Sequence, residues 1–166
     1  MPSDRSRRLF VFKLAEELFG VDLETILEVL PLPRLSLPPG TPSILHGFLN
    51  LGGRAIPVLN QRRLFQLNDL PPSVYAHLVV LKRAETPLAI LVDRAVGTAP
   101  TAHDAFMPVG RDHSFNDCIE SDARIGTQTV HVLSVERLLL KEEQGRITQL
   151  HALEQERLRQ LEEASS

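Results

Sequence analysis

Short apolar runs closed off by turn-forming residues recur along the chain. Leu9-Phe10-Val11-Phe12, Leu18-Phe19-Gly20-Val21, Ile26 to Leu30, Leu78-Val79-Val80-Leu81, Leu88 to Val92 and Val130 to Leu133 are such runs. They are too short for helices and rich in β-branched and aromatic residues, so they predict strands of about four to seven residues. Gly52-Gly53 separates Ile44-to-Leu51 from Arg54-to-Val58 and predicts a tight hairpin; Ala84-Glu85-Thr86 ahead of Pro87 predicts another turn. Many short strands joined this closely point to small barrels.

Residues 31–42, Pro-Leu-Pro-Arg-Leu-Ser-Leu-Pro-Pro-Gly-Thr-Pro, are stiffened by proline. Either they form a polyproline ligand or, the preferred reading, a rigid crossing loop that packs Leu32, Leu35 and Leu37 onto a barrel. The chain also repeats itself. Val21-Asp22 returns as Val92-Asp93, 71 positions on, and Val58-Leu59-Asn60-x-x-Arg63-Leu64 returns as Val132-Leu133-Ser134-x-x-Arg137-Leu138, 74 positions on. Two features at nearly one offset imply two similar halves, each closed by a short helix with Asn60 or Ser134 as its N-cap.

From Ser134 the composition is helical. Gly145 is expected to break the tail into Ser134–Gln144 and Arg146–Glu163, fraying at Ala164-Ser165-Ser166. On the second segment Ile147, Leu150, Leu158 and Leu161 share a face, but Glu154 interrupts it. That predicts a helix laid partly on the barrels, dispensable for folding and able to modulate partner binding.

A chain of 166 residues, 43% hydrophobic, is large enough for a substantial core. The formal charge of −3 offers no basic excess, which argues against nucleic acid. Lys13, Glu16 and Glu17 end the first apolar run too early for a signal peptide, and the stretch from Leu35 to Gly53 holds too much Pro and Gly to insert in a membrane as a helix. One cysteine, Cys118, excludes an internal disulfide and fits the cytoplasm.

No pattern announces catalysis. The six histidines avoid metal-ligand spacing, so no metal or cofactor is expected. Asp112, His113 and Ser114 are neighbours without a nucleophile elbow, and Gly52-Gly53 opens a strand instead of a phosphate-holding helix. Cys118 has acidic neighbours and reads as inert.

The segment Gly40-Thr41-Pro42-x-x-x-x-Gly47-Phe48-Leu49-Asn50-Leu51-Gly52-Gly53-Arg54-Ala55-Ile56-Pro57-Val58-Leu59-Asn60-x-Arg62 resembles the CheW-like domain of bacterial chemotaxis coupling proteins. Support comes from Val21-Asp22, Ile26 to Val29, Leu88 to Asp93, and Val132-Leu133-x-x-Glu136-Arg137-Leu138-Leu139. The resemblance spans 9–140 and implies a mostly β fold. Its expected form is two five-stranded SH3-like barrels, 9–70 and 74–140, with short closing helices and a C-terminal helix at 146–163.

It also implies a non-catalytic adaptor that couples chemoreceptor cytoplasmic tips to the regulatory domain of a histidine kinase. The protein-interaction residues implied by resemblance are Ile26, Glu28, Asn50, Leu51, Gly52, Gly53, Leu88 and Leu91. A divergent module that caps or competes within such arrays, or serves another two-component system, is the alternative; a ligand-binding or hydrolytic barrel is an alternative of another class. Gly52 stands where the family has arginine and puts receptor choice in question. The family's arginine there implies a turn that accepts it with little strain, and Glu28 would lose its natural partner.

Overall fold

The computed structural model describes residues 7–65, 71–84, 86–108, 118–139 and 141–165. The strands are β1 (Arg7–Leu14), β2 (Glu17–Asp22), β3 (Ile26–Pro31), β4 (Leu45–Leu51) and β5 (Arg54–Asn60), followed by the one-turn helix α1 (Gln61–Leu64). Then come β6 (His77–Leu81), β7 (Leu88–Val92), β8 (Arg94–Thr101), β9 (Phe106–Met107), β10 (Ile119–Ile125), β11 (Gln128–Leu133) and the long helix α2 (Lys141–Ser165).

These strands form two sheets, ordered β8-β1-β2-β11-β10-β9 and β3-β6-β7-β5-β4. Apart from the two-residue β9, the orders are equivalent: a hairpin flanked on one side by a single strand and on the other by a second hairpin. The duplication inferred from the sequence is thus visible, but with an exchange. The β1–β2 hairpin of the first half sits among strands of the second, and the β6–β7 hairpin of the second half sits among strands of the first. Parallel pairings seal each exchange, β2 with β11 at Leu18–Val130 to Gly20–Val132 and β5 with β7 at Val58–Ala89 to Asn60–Leu91. The expected contiguous halves, 9–70 and 74–140, therefore do not correspond to the two sheets. One sheet also has six strands where five were expected, because β9 is too short to leave an alternation in the sequence.

Both faces of most strands are apolar because each sheet covers two cores. Leu78 and Val80 of β6, with Ile56, Val58 and Ala89, fill the hollow of the five-stranded sheet, while Val79, Leu81, Leu88 and Ile90 face the other sheet. Likewise Leu9 and Val11 of β1 turn into the six-stranded sheet and Phe10, Phe12 and Leu14 turn towards its partner. This period-two division explains why the runs read as continuous apolar blocks. Phe12, Phe19 and Phe65 stack in the shared core at centroid separations of 6.2 and 5.8 Å.

Of the crossing-loop leucines, Leu32 and Leu35 pack against the five-stranded sheet as expected, whereas Leu37 is 67% exposed. Ser36 bridges to Phe48, its N–H and carbonyl both bonded to that residue, and this turns Leu37 away on the alternate face. Asn60 caps α1 by accepting from Arg63 N at 3.2 Å. Ser134 does not cap through its side chain: a single 3-10 turn, Val135–Arg137, follows it, and the Ser134 carbonyl accepts from Arg137 N instead.

Gly145 does not break α2. The helix runs unbroken from Lys141 to Ser165, past the break and the fraying expected for it. A helical glycine costs about 1 kcal/mol, and burial of Ile147, 2% exposed in the shared core, is worth about 1.5–3 kcal/mol and outweighs it. Helix α2 is therefore part of the fold over its first turns, contrary to the expected dispensability. A Cβ at Gly145 would meet nothing within 4 Å. Gly145→Ala should raise stability by about 0.5–1 kcal/mol in urea denaturation; a loss would mean that the helix needs the glycine. Ile147→Ala should lower it by about 2–5 kcal/mol, and a loss under about 1 kcal/mol would return α2 to the status of an appendage.

Candidate functional site

The hairpin β4–β5 is built by its own residues. Gly52 and Gly53 have φ of +61° and +88°, the left-handed pair demanded by a two-residue turn whose twist matches the strands. Asn50 Oδ1 accepts from Gly53 N at 2.8 Å and fixes the turn from inside. Gly52 is exposed at the tip, with nothing within 4 Å of where a Cβ would stand. An arginine there would have room but would carry the strain of a left-handed residue, about 1–2 kcal/mol, so the expectation of little strain is revised.

The candidate interaction residues fall into three groups. Asn50 to Gly53 are one turn, with Leu51 half-buried against the five-stranded sheet's own core. Ile26 and Glu28 lie on β3, which borders β6 at the opposite end of the sheet's hydrogen-bonding order. Glu28 is exposed there and makes no ion pair among the described residues. On β7, Leu88 and Leu91 point opposite ways. Leu88 is 1% exposed in the shared core and cannot serve as a surface contact; Leu91 is half-buried beside His46, Asn60, Arg62 and Asp93. The odd spacing of the two leucines on a strand forces this separation.

Below the hairpin, Arg62 of α1 pairs with Asp93, whose carboxylate also accepts from Ala15 N at 2.9 Å. The repeated aspartate, Asp22, holds Arg7 at 2.9 and 2.7 Å, and Glu120 joins it at 2.9 Å. The hydrogen bonds that Arg7 donates to Asp22, with further help from Glu120, raise the Arg7 guanidinium pKa above its ordinary value. Both copies of the Val-Asp pair thus fasten an arginine.

Titratable groups also meet at His131, which is 6% exposed. Its Nδ1 lies 2.7 Å from Asp122 Oδ1 and its Nε2 3.1 Å from Glu17 Oε1. These groups tie β2, β10 and β11 together across the parallel seam, a structural task. Among the described residues no group of three or more His, Cys, Asp or Glu is placed to hold a metal. Cys118 is buried in the shared core. Asp112, His113 and Ser114 lie outside the described residues.

Sequence reasoning missed the helix side chains that bond to the hairpin and its crossing loop. Gln155 Oε1 accepts from Ala55 N at 2.9 Å, Gln155 Nε2 donates to the Gly53 carbonyl at 2.8 Å, and His151 Nε2 donates to the Ala55 carbonyl at 2.8 Å. Glu154, 3% exposed, accepts from Ser36 Oγ at 2.6 Å. The carboxylate in the middle of the apolar stripe was the available signal: a buried acid needs a donor opposite it.

No described helix is long and apolar enough to cross a membrane. A protein of Treponema pallidum (strain Nichols), named chemotaxis protein CheW, is 24% identical over 159 residues, covering 89% of this chain and 91% of its own. The crystal structure of scaffolding protein TtCheW from Thermoanaerobacter tengcongensis matches with a TM-score of 0.76 at 22% identity, over 80% of this chain and 92% of that one. That likeness fixes the fold. The family model for the CheW-like domain matches residues 8–143, which takes in both sheets and the start of α2, and on that match the chain belongs to the CheW-like domain family.

Proposed function

We propose that this chain is a non-catalytic, cytoplasmic adaptor that couples the helical cytoplasmic tips of chemoreceptors to the regulatory domain of a chemotaxis-type histidine kinase. The observation that carries the reading is the family match over residues 8–143. The segment of densest resemblance, Gly40 to Arg62, folds into one unit: a crossing loop, a glycine hairpin and a capped turn locked by Arg62 to Asp93. Such a unit displays its tip rigidly, as a docking surface requires. Kinase docking is assigned to strand edges of the sheets, where unpaired main-chain groups favour pairing with a similar domain.

Gly52 favours a second reading, a module that caps or competes within arrays without coupling ordinary receptors. Gly52 itself offers no cation, so a receptor that recognises the family arginine finds only backbone at that position, and exposed Arg54 lies two residues away at the end of the turn.

Titration calorimetry against a purified kinase regulatory domain should give saturable binding, and its absence with every such kinase of the same cell would refute the adaptor role. Gly52→Arg should lower stability by about 1–2 kcal/mol through its left-handed φ. It should leave kinase binding unchanged and tighten binding to a receptor-tip bundle by about 1.5–3 kcal/mol, the worth of a charge-assisted hydrogen bond. A folded variant with no gain in receptor affinity would remove the hairpin tip from the receptor surface.

A further inference from the structure

Two halves of α2 are held by different forces. The inner half is anchored by Ile147, which is 2% exposed in the shared core. The outer half, from His151, has less apolar burial: Leu158 rests half-buried against the shared core, and Leu153 is 69% exposed. Polar contacts supply the rest of its hold. β7 pairs with β5 only from Val58 onward, which leaves the start of β5 beyond the reach of that neighbour. There the Gly53 carbonyl, the Ala55 N–H and the Ala55 carbonyl are satisfied by Gln155 and His151 side chains in place of a strand, and Ser36 Oγ is satisfied by Glu154.

The spacing of these contacts defines the shape of what fits. Residues 151, 154, 155 and 158 lie on one helical face, so this strip of β5 receives a helix. The groups presented to it are two carbonyl acceptors, one N–H donor and one hydroxyl donor. A carboxamide next to a carboxylate answers the N–H, the hydroxyl and one carbonyl at once. Glu154 also pairs with Arg157, at 3.5 Å and 60% exposed, a weaker hold on that buried acid than the hydrogen bond from Ser36. Hydrogen bonds of this kind exchange nearly one for one with those of an incoming group, and a segment held by them opens at low cost compared with one anchored in a core.

We propose that the outer half of α2, residues 151–163, is a displaceable guard over a helix-binding strip on β5, and that a partner helix carrying an adjacent carboxylate and carboxamide takes its place. The inference rests on the adaptor reading for the partner's identity, a helical receptor tip, but the strip and its guard stand on the contacts of this chain alone. While the guard is closed, the apparent affinity for such a helix is reduced by the fraction of molecules that are open.

The test uses the full chain with Gln155→Leu, alone and combined with Glu154→Ala, so that the helix and its Ile147 anchor remain. The first probe is a labelled peptide of residues 147–163, followed by fluorescence anisotropy. The double variant should bind it at least about tenfold more tightly than the unaltered chain does, the effect of removing the two Gln155 hydrogen bonds and the Ser36–Glu154 hydrogen bond from the closed state. A peptide with the same two substitutions should lose that gain. Equal binding by unaltered and variant chains, or binding by neither, would overturn the guard.

The second probe is a receptor-tip bundle, with the kinase regulatory domain as control. Gln155→Leu should tighten receptor binding and leave kinase binding unchanged. Weaker receptor binding by Gln155→Leu would overturn displacement and make α2 a fixed part of the contact. If no form binds the kinase domain while the peptide result holds, the adaptor reading fails and the guarded strip survives.

Discussion

The exchange of hairpins between the two halves governs the rest of the structure. Because β1–β2 completes the second half's sheet, the six-stranded sheet cannot form without strands from both ends of the chain, 7–22 and 94–133, whereas the five-stranded sheet that β6–β7 completes is the middle stretch 26–92. The parallel seams at β2–β11 and β5–β7 are the contacts that enforce this, and parallel pairs require long crossovers to reach one another. The shared core then follows. Phe10, Phe12, Phe19 and Val21 from one exchanged hairpin share this core with Val79, Leu81, Leu88 and Ile90 from the other, so both hairpins that have changed places contribute to the inter-sheet core. Loss of either sheet would expose the face of the other that lines the shared core.

What could be read in the sequence, and what could not, follows from the same geometry. Strands betray themselves locally, and β6 and β7 were expected within a residue of where they lie, because Leu78-Val79-Val80-Leu81 has apolar side chains for two cores at once. β8 was missed because it alternates, half-buried against exposed, through Gly97 and Pro100, and its residues are mostly small. β9 was missed because two residues carry no period. The repeat offset disclosed the duplication but not the exchange. Equivalent strands have equivalent patterns whichever half they pair with, so register and partner are absent from any one-dimensional period.

The candidate site was legible where it depends on turn chemistry and illegible where it depends on distant contacts. Asn50, Gly52 and Gly53 announce a two-residue hairpin because only such residues tolerate its backbone, and the turn is built that way. Leu88 failed as a surface residue because strand alternation, applied to β7, sends it inward with Ile90 and Val92. Gly145 misled because propensity is a local cost of about 1 kcal/mol, and a tertiary anchor two residues on exceeds it. His151 and Gln155 sit about 100 residues from the main-chain groups they bond, and nothing in a helix of ordinary polar composition foretells which strand edge it will cover.

That covering bears on how an adaptor of this kind can be both stable and open to partners. A strand end left with free N–H and carbonyl groups invites pairing with any extended chain, and proteins ordinarily blunt such edges with charge, proline or a bulge. Here the start of β5 is blunted by a helix whose side chains mimic a strand's hydrogen bonds without supplying a strand. Side-chain contacts protect the edge against indiscriminate β-pairing while remaining replaceable by another helix, which a backbone ladder would not be. The core anchor at Ile147 sets where the exchange must stop. It keeps the first turns of α2 in the fold, so a partner that lifts the outer helix uncovers only the part of the shared core on which Leu158 rests.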